Sequence, residues 1–211
     1  MKIVYLCGII IACLFITGCF MAENIYVSYT DGATFIGCGE AIPGSKVDSA
    51  QTFTPSQNFT ITKLNLYLWK YTVYGNVGTV TITIQETTDG APNGNVIATG
   101  SIHEDDIPEF PTIEWKFIEL SHTNLIGGEK YAFVVDASEC DSQCYIGIGA
   151  DITSPSYEGG SYFGNINDGA WLEYLGVDLS FEIWGIPISF RPTAQSVATG
   201  TVNTSTISSA K

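Results

Sequence analysis

Positive charge is what this 211-residue chain has least of: 8 Lys and Arg stand against 22 Asp and Glu, a formal net charge of -14. A polyanion such as a nucleic-acid backbone would be repelled by that balance, so nucleic acid is excluded as a partner, and so is an anionic lipid surface. Histidine is nearly absent as well. His103 and His122 are the two imidazoles available as bases, and neither stands in a nucleophile turn such as Gly-x-Ser-x-Gly. Hydrolytic chemistry of that kind therefore has no sequence support, and the reading is of a protein that is not an enzyme. The histidines are also 19 residues apart without convergent spacing, which leaves no zinc pattern. Helical periodicity is missing throughout, and no second long apolar run follows the first.

That first run is Ile3 to Ala22, uncharged and preceded by Lys2. It has the shape of an export signal and is long enough to cross a bilayer. Ile16-Thr17-Gly18-Cys19 resembles the lipobox of bacterial lipoproteins, in which cleavage leaves an acylated cysteine at the mature N-terminus. On that resemblance Cys19 is the lipidation site. A plain cleaved signal and an uncleaved anchor stay open beside it. All three place the protein outside the cytoplasm, secreted or attached to the cell envelope, with the membrane touched only through this segment.

The rest divides by composition. Residues 1–22 are signal or anchor, 23–47 a linker with one short strand at Ile25-Tyr26-Val27-Ser28-Tyr29, 48–186 the folded domain, and 187–211 a Ser/Thr-rich tail. The tail has ten Ser or Thr in 25 residues and no carboxylate; it cannot bury enough surface to fold alone and is expected to be disordered.

Within the domain the apolar residues alternate. Leu64, Leu66 and Leu68 fall on one side of a strand, with Lys63, Asn65, Tyr67 and Trp69 on the other. Val80, Ile82 and Ile84 repeat the pattern before the turn dipeptide Asp89-Gly90. Further strands are predicted over 96–102, 114–120, 131–136, 145–149, 156–163 and 179–184, each bounded by Gly, Pro, Asn or Asp. Many short strands with 22 glycines between them predict an all-β fold: a two-sheet antiparallel β-sandwich of jelly-roll type. Trp115, Phe117, Phe133, Phe181 and Trp184 are expected to fill its core.

The order of motifs strengthens that expectation. Ala50-Gln51-Thr52-Phe53-Thr54, Asp89-Gly90-Ala91-Pro92-Asn93-Gly94, Gly128-Glu129-Lys130-Tyr131, Tyr157-Glu158-Gly159-Gly160-Ser161-Tyr162, Asp168-Gly169-Ala170-Trp171 and Asp178 to Gly185 together resemble the jelly-roll module of secreted surface proteins and phage tail proteins. These modules look like carbohydrate-binding modules in fold. The resemblance spans about residues 48–185, and it implies a fold and an accessory role, with no defining set of binding residues. Within it, Asp89-Gly90 and Asp168-Gly169 are expected to supply the positive φ of tight hairpins.

Six cysteines are present, three of them in or beside the exported segment. Cys140 and Cys144 are read as a small disulfide loop in an oxidising compartment, about 2 kcal/mol by loop entropy. Cys38 is left over. Residues 131–190 hold nine carboxylates and no Lys or Arg, which is an acidic solvated surface first and a calcium surface second; no other cofactor is expected.

Aromatics in turn-rich places carry the functional reading. Trp69, Tyr71, Tyr162 and Trp171 are the candidate ligand contacts, because sugar rings stack on such faces. The expected function is a non-catalytic extracellular adhesion module for a glycan or a surface protein. A structural subunit of a virion, filament or surface layer is the alternative, self-assembling through a strand donated by residues 24–36. A glycoside-active enzyme comes third, since paired carboxylates leave no spacing signature.

Overall fold

The computed structural model describes residues 22–72, 75–140 and 143–188. The export segment with Cys19 and the tail beyond Ile188 lie outside the described residues. Thirteen strands follow in order: β1 Asn24–Tyr29, β2 Thr34–Ile42, β3 Ser45–Phe53, β4 Phe59–Tyr71, β5 Thr79–Thr88, β6 Ala91–His103, β7 Glu114–Leu125, β8 Tyr131–Asp136, β9 Tyr145–Asp151, β10 Tyr162–Ile166, β11 Leu172–Tyr174, β12 Asp178–Leu179 and β13 Phe181–Pro187. Among the described residues the one helical element is a 3-10 turn over Glu104–Asp106. The fold is all-β, as the alternation predicts.

β1 falls on the short strand expected over 25–29, and β2 lies where the sequence suggests a spacer. β1 pairs antiparallel with β13, and β2 pairs with β9 from Thr34↔Ala150 to Gly39↔Tyr145. Residues 24–42 thus belong to the fold. The glycines that made this stretch look like a spacer let it run beside β9: Gly39 holds a φ of 116°, and a Cβ there would sit 3.1 Å from the Cys144 carbonyl oxygen. The strand predicted over 156–163 starts later, at Tyr162, after a loop.

The hydrogen-bonded path does not stop at the edges of two separate sheets. It closes through eight strands, β4-β7-β6-β5-β8-β3-β2-β9, and β9 returns to β4 through Leu68↔Ile148 to Tyr71↔Tyr145. Two seams of this ring are thin: β6 meets β7 at the single pair Gly100↔Leu120, and β2 meets β3 at Gly39↔Val47 and Ile42↔Ser45. A barrel with extra strands replaces the expected open sandwich. The segment 178–187 wedges into it, β12 pairing with β9 and β13 with the first half of β4. At the fork Ser180 donates its N–H to the Gly149 carbonyl at 2.7 Å and accepts from Gly32 N–H at 3.1 Å.

The interior is filled by one parity of each strand: Leu64, Leu66 and Leu68 of β4, Val80, Ile82 and Ile84 of β5, Phe133 and Val135 of β8, Ile146 and Ile148 of β9, Phe181 and Ile183 of β13, all fully buried. Each contributes roughly 1.5–3 kcal/mol of hydrophobic burial. Phe133 and Phe181 meet edge to face at 5.1 Å, as expected of core rings. Trp115, Phe117 and Trp184 do not join them. In β7 the core takes Ile118 and Leu120: Ile118 is the register partner of the core residue Leu64, whereas Trp115 and Phe117 are partners of Tyr67 and Asn65 on the outward parity of β4.

The turns show one further difference. Asp89 and Gly90 both hold positive φ, 53° and 85°, as the β5–β6 hairpin needs. In the β10–β11 hairpin positive φ falls one residue earlier than expected, on Asn167 (52°) and Asp168 (56°), not on Gly169. Cys140 and Cys144 are disulfide-bonded with Cα atoms 5.6 Å apart, and Cys38 is free and buried, its thiol pushed up to about 12 by burial.

Candidate functional site

The residues of β4 that turn away from the core are Lys63, Asn65, Tyr67, Trp69 and Tyr71, and three of these five are aromatic. Their neighbours on β9 are glycines. Trp69 sits opposite Gly147, where a Cβ would lie 2.2 Å from the indole Cε2 and Nε1, and Gly149 lies against Tyr67, where a Cβ would meet the ring at 3.0 Å. Only bare backbone lets these rings lie flat across the outside of the barrel.

Around Trp69 the rings form a continuous pavement. Phe35 of β2 stands edge-on at 5.9 Å, Tyr145 of β9 edge-on at 5.5 Å, and Phe110 lies at 4.9 Å. Phe110 is brought there by a loop laid along the end of β4, in which Lys70 N–H donates to the Pro108 carbonyl at 2.8 Å and Phe110 N–H to the Lys70 carbonyl at 3.1 Å. Tyr71 stacks on Tyr145 at 5.2 Å, and Tyr67 stacks on Trp115 of β7 at 5.3 Å. Beyond them Phe117 meets Trp184 of β13 at 5.5 Å. Each such pair adds about 0.5–1.5 kcal/mol to burial.

Packing covers the middle of this face, so Trp69 is 8% exposed, with its Nε1 unpartnered. Exposure is concentrated at the rim: Trp115 37%, Phe117 54%, Phe110 57%. Polar groups stand between the rings. The Glu109 carboxylate accepts from Thr72, and Glu182 accepts from Asn65 Nδ2 at 2.8 Å and Trp184 Nε1 at 3.0 Å.

The four candidate contacts divide. Trp69 and Tyr71 lie together on this face. Tyr162 is 4% exposed inside the core, its hydroxyl 3.2 Å from Ser49 Oγ, and burial raises the phenol to about 12; it has no surface to offer. Trp171 is half-buried on the opposite side of the barrel, packed with Ala91 over the small cluster Ala50, Val134 and Phe163. Rings that sequence reasoning assigned to the core or passed over (Phe35, Tyr67, Phe110, Trp115, Phe117, Tyr145 and Trp184) make up most of the face. The signal was present in the β4 alternation, which put Tyr67 opposite the leucines, and in the Gly-x-Gly of β9.

Carboxylates elsewhere are held by the fold. Asp151 accepts from Tyr29 O–H at 2.9 Å and from the N–H groups of Thr153 and Ser154 at 2.9 and 3.0 Å; those amides lower it to about 2. Glu104 accepts from the N–H groups of Val77 and Gly78 at 2.6 and 2.8 Å. Asp178, raised by burial, accepts from Tyr157 N–H and Gln51. On the Trp171 side Asp48 is raised to about 6 by burial and by Asp136, with Lys46 pulling the other way. His103 Nδ1 accepts from Asp105 N–H at 3.3 Å beside the 3-10 turn. Among the described residues no three His, Cys, Asp or Glu side chains gather as a metal-binding group.

The chain matches no known protein-family model, no curated protein and no solved structure. The assignment therefore rests on the face itself.

Proposed function

We propose that this chain is a non-catalytic surface module, exported and held at the cell envelope or released, that binds neutral glycans on the aromatic outer face of β4, β7 and β9. The observation carrying this reading is the exposed rim of Trp115, Phe117 and Phe110 around Tyr67, Trp69 and Tyr71, laid over Gly147 and Gly149. A pyranose has an apolar C–H face and a rim of hydroxyls; it is matched by ring faces interleaved with hydrogen-bonding groups, here Asn65 and Glu182. The net charge of -14 disfavours anionic glycans. The carboxylates nearest the rings, Glu109 and Glu182, already serve Thr72, Asn65 and Trp184, which favours binding over bond cleavage. The jelly-roll resemblance and the lipobox-like Cys19 belong to the same proposal, and the thin seams of the ring support treating the barrel as a flattened sandwich.

Affinity electrophoresis and calorimetry against a panel of neutral polysaccharides test it. Binding is expected for the native protein and is lost by at least about tenfold in the Trp115→Ala, Phe117→Ala double variant, a loss of two stacking faces. No retardation by any member of the panel removes the glycan reading. The alternative is a structural subunit that assembles through a strand donated by residues 24–36; the pairing of β1 with β13 of its own chain favours the glycan reading over it.

A further inference from the structure

On the opposite outer face, three adjacent strands bring an unusual row together. Ser49 of β3 is flanked by Val135 of β8 and Gly164 of β10, so one step along the ladder Asp48 lies beside Asn165, its register partner, and next to Asp136. Directly opposed residues share a face of a sheet. Lys46 confirms the closeness, its Nζ lying 3.4 Å from Asp136 Oδ1 and 3.9 Å from Asp48 Oδ1.

The Oδ1 atoms of Asp48, Asp136 and Asn165 are all buried and accept no hydrogen bond, and they are three of the seven buried side-chain N and O atoms in that condition among the described residues. Buried acceptors are rarely left so, and an ion or water is the usual answer. Asn165 is 8% exposed, and its Nδ2 donates to the Gly169 carbonyl at 2.9 Å. The amide is thereby oriented: its nitrogen is used, and its oxygen is the atom left over. Two carboxylates and an amide oxygen ask for positive charge, and the ion-pair partner of the two carboxylates is a single lysine, Lys46, whose side chain is 26% exposed.

From this row we propose a binding site for calcium, formed by Asp48, Asp136 and Asn165, with the Lys46 ammonium as its competitor. All three donors are hard oxygens, which suits calcium and not zinc or copper. Three protein side chains leave several positions to water, so affinity belongs on the order of 10⁻⁴–10⁻³ M, the range of extracellular modules. The site is independent of the aromatic face.

Calorimetry and thermal melting of the full chain, freed of metal with chelator and titrated with CaCl₂ to about 10 mM, decide the matter. Saturable heat and a rising Tm are expected. Lys46→Met should tighten binding by about fivefold, because a competing cation is removed, and Asp48→Asn with Asp136→Asn should abolish it. An unresponsive native protein and an unresponsive, folded Lys46→Met variant would reduce the row to an ordinary ion pair. A calcium response that persists in the doubly substituted protein would also overturn the assignment, since the ion would then bind elsewhere.

Discussion

The two outer faces of this barrel are built by the same alternation and end in opposite chemistry. On β4 the outward parity is aromatic and its neighbours on β9 are glycines, so side chains lie down over the backbone and cover one another. On β3 the outward parity passes from Ala50 to Asp48, and the neighbouring strands answer with Asp136 and Asn165, so oxygen atoms crowd together with Lys46 the cation paired to the two carboxylates. The carboxylates follow suit: Asp151, ringed by amides, is lowered to about 2, while Asp48, buried and beside the Asp136 carboxylate, is raised to about 6. What an outward residue does in this fold is decided by what stands opposite it across the ladder.

The contrast is broken most severely at Trp69. Its indole is 8% exposed, so Trp69→Ala should cost about 3–5 kcal/mol by denaturant unfolding. Trp171→Ala, removing a half-buried ring on the other face, should cost about 1–2 kcal/mol. Equal costs would mean that the pavement is no better packed than the far side.

Glycine substitutions sharpen the same point at smaller scale. Gly147→Ala drives a methyl into the indole at 2.2 Å and should cost about 1–3 kcal/mol while shifting the tryptophan fluorescence. Gly164→Ala on β10 meets Tyr174 at 3.0 Å, and that ring, 42% exposed, can step aside; the expected loss is below about 1 kcal/mol.

The smallest effect is electrostatic. Because the folded-state pKa of Asp151 is depressed, its contribution to stability is present above the unfolded value near 4 and drains away as pH falls towards 2. Asp151→Asn should therefore flatten the fall of Tm between about pH 4 and pH 2, with little change in slope above it. An unchanged acid limb would show that Tyr29 and the two amides do not favour the charged form.

Much of the scaffold was legible in the chain. Three leucines alternating in β4, three β-branched residues in β5 and the Asp89-Gly90 turn each name their own strand and face. Trp115 and Phe117 were misplaced because β7 carries apolar residues on both parities, and only its pairing with β4 chooses Ile118 and Leu120 for the core. β2 was hidden by glycines that suit a loop and a crowded ladder equally well. Asp48, Asp136 and Asn165 stand far apart in sequence, and nothing short of strand order makes them neighbours. Tyr162 looked like a loop aromatic until β10 turned it inward onto Ser49.

The pairing of the first described strand with the last has a mechanical meaning. Asn24 opens β1 opposite Gly185, and β13 ends two residues later at Pro187, so the chain enters and leaves the fold at the same end of one antiparallel ladder. Tension applied between those two points loads the β1–β13 hydrogen bonds one after another, as a zipper is opened, and not all at once as in shear. A molecule tethered at one end and pulled at the other would yield first along this seam, at low force, with the ring of eight strands and its paved face still standing.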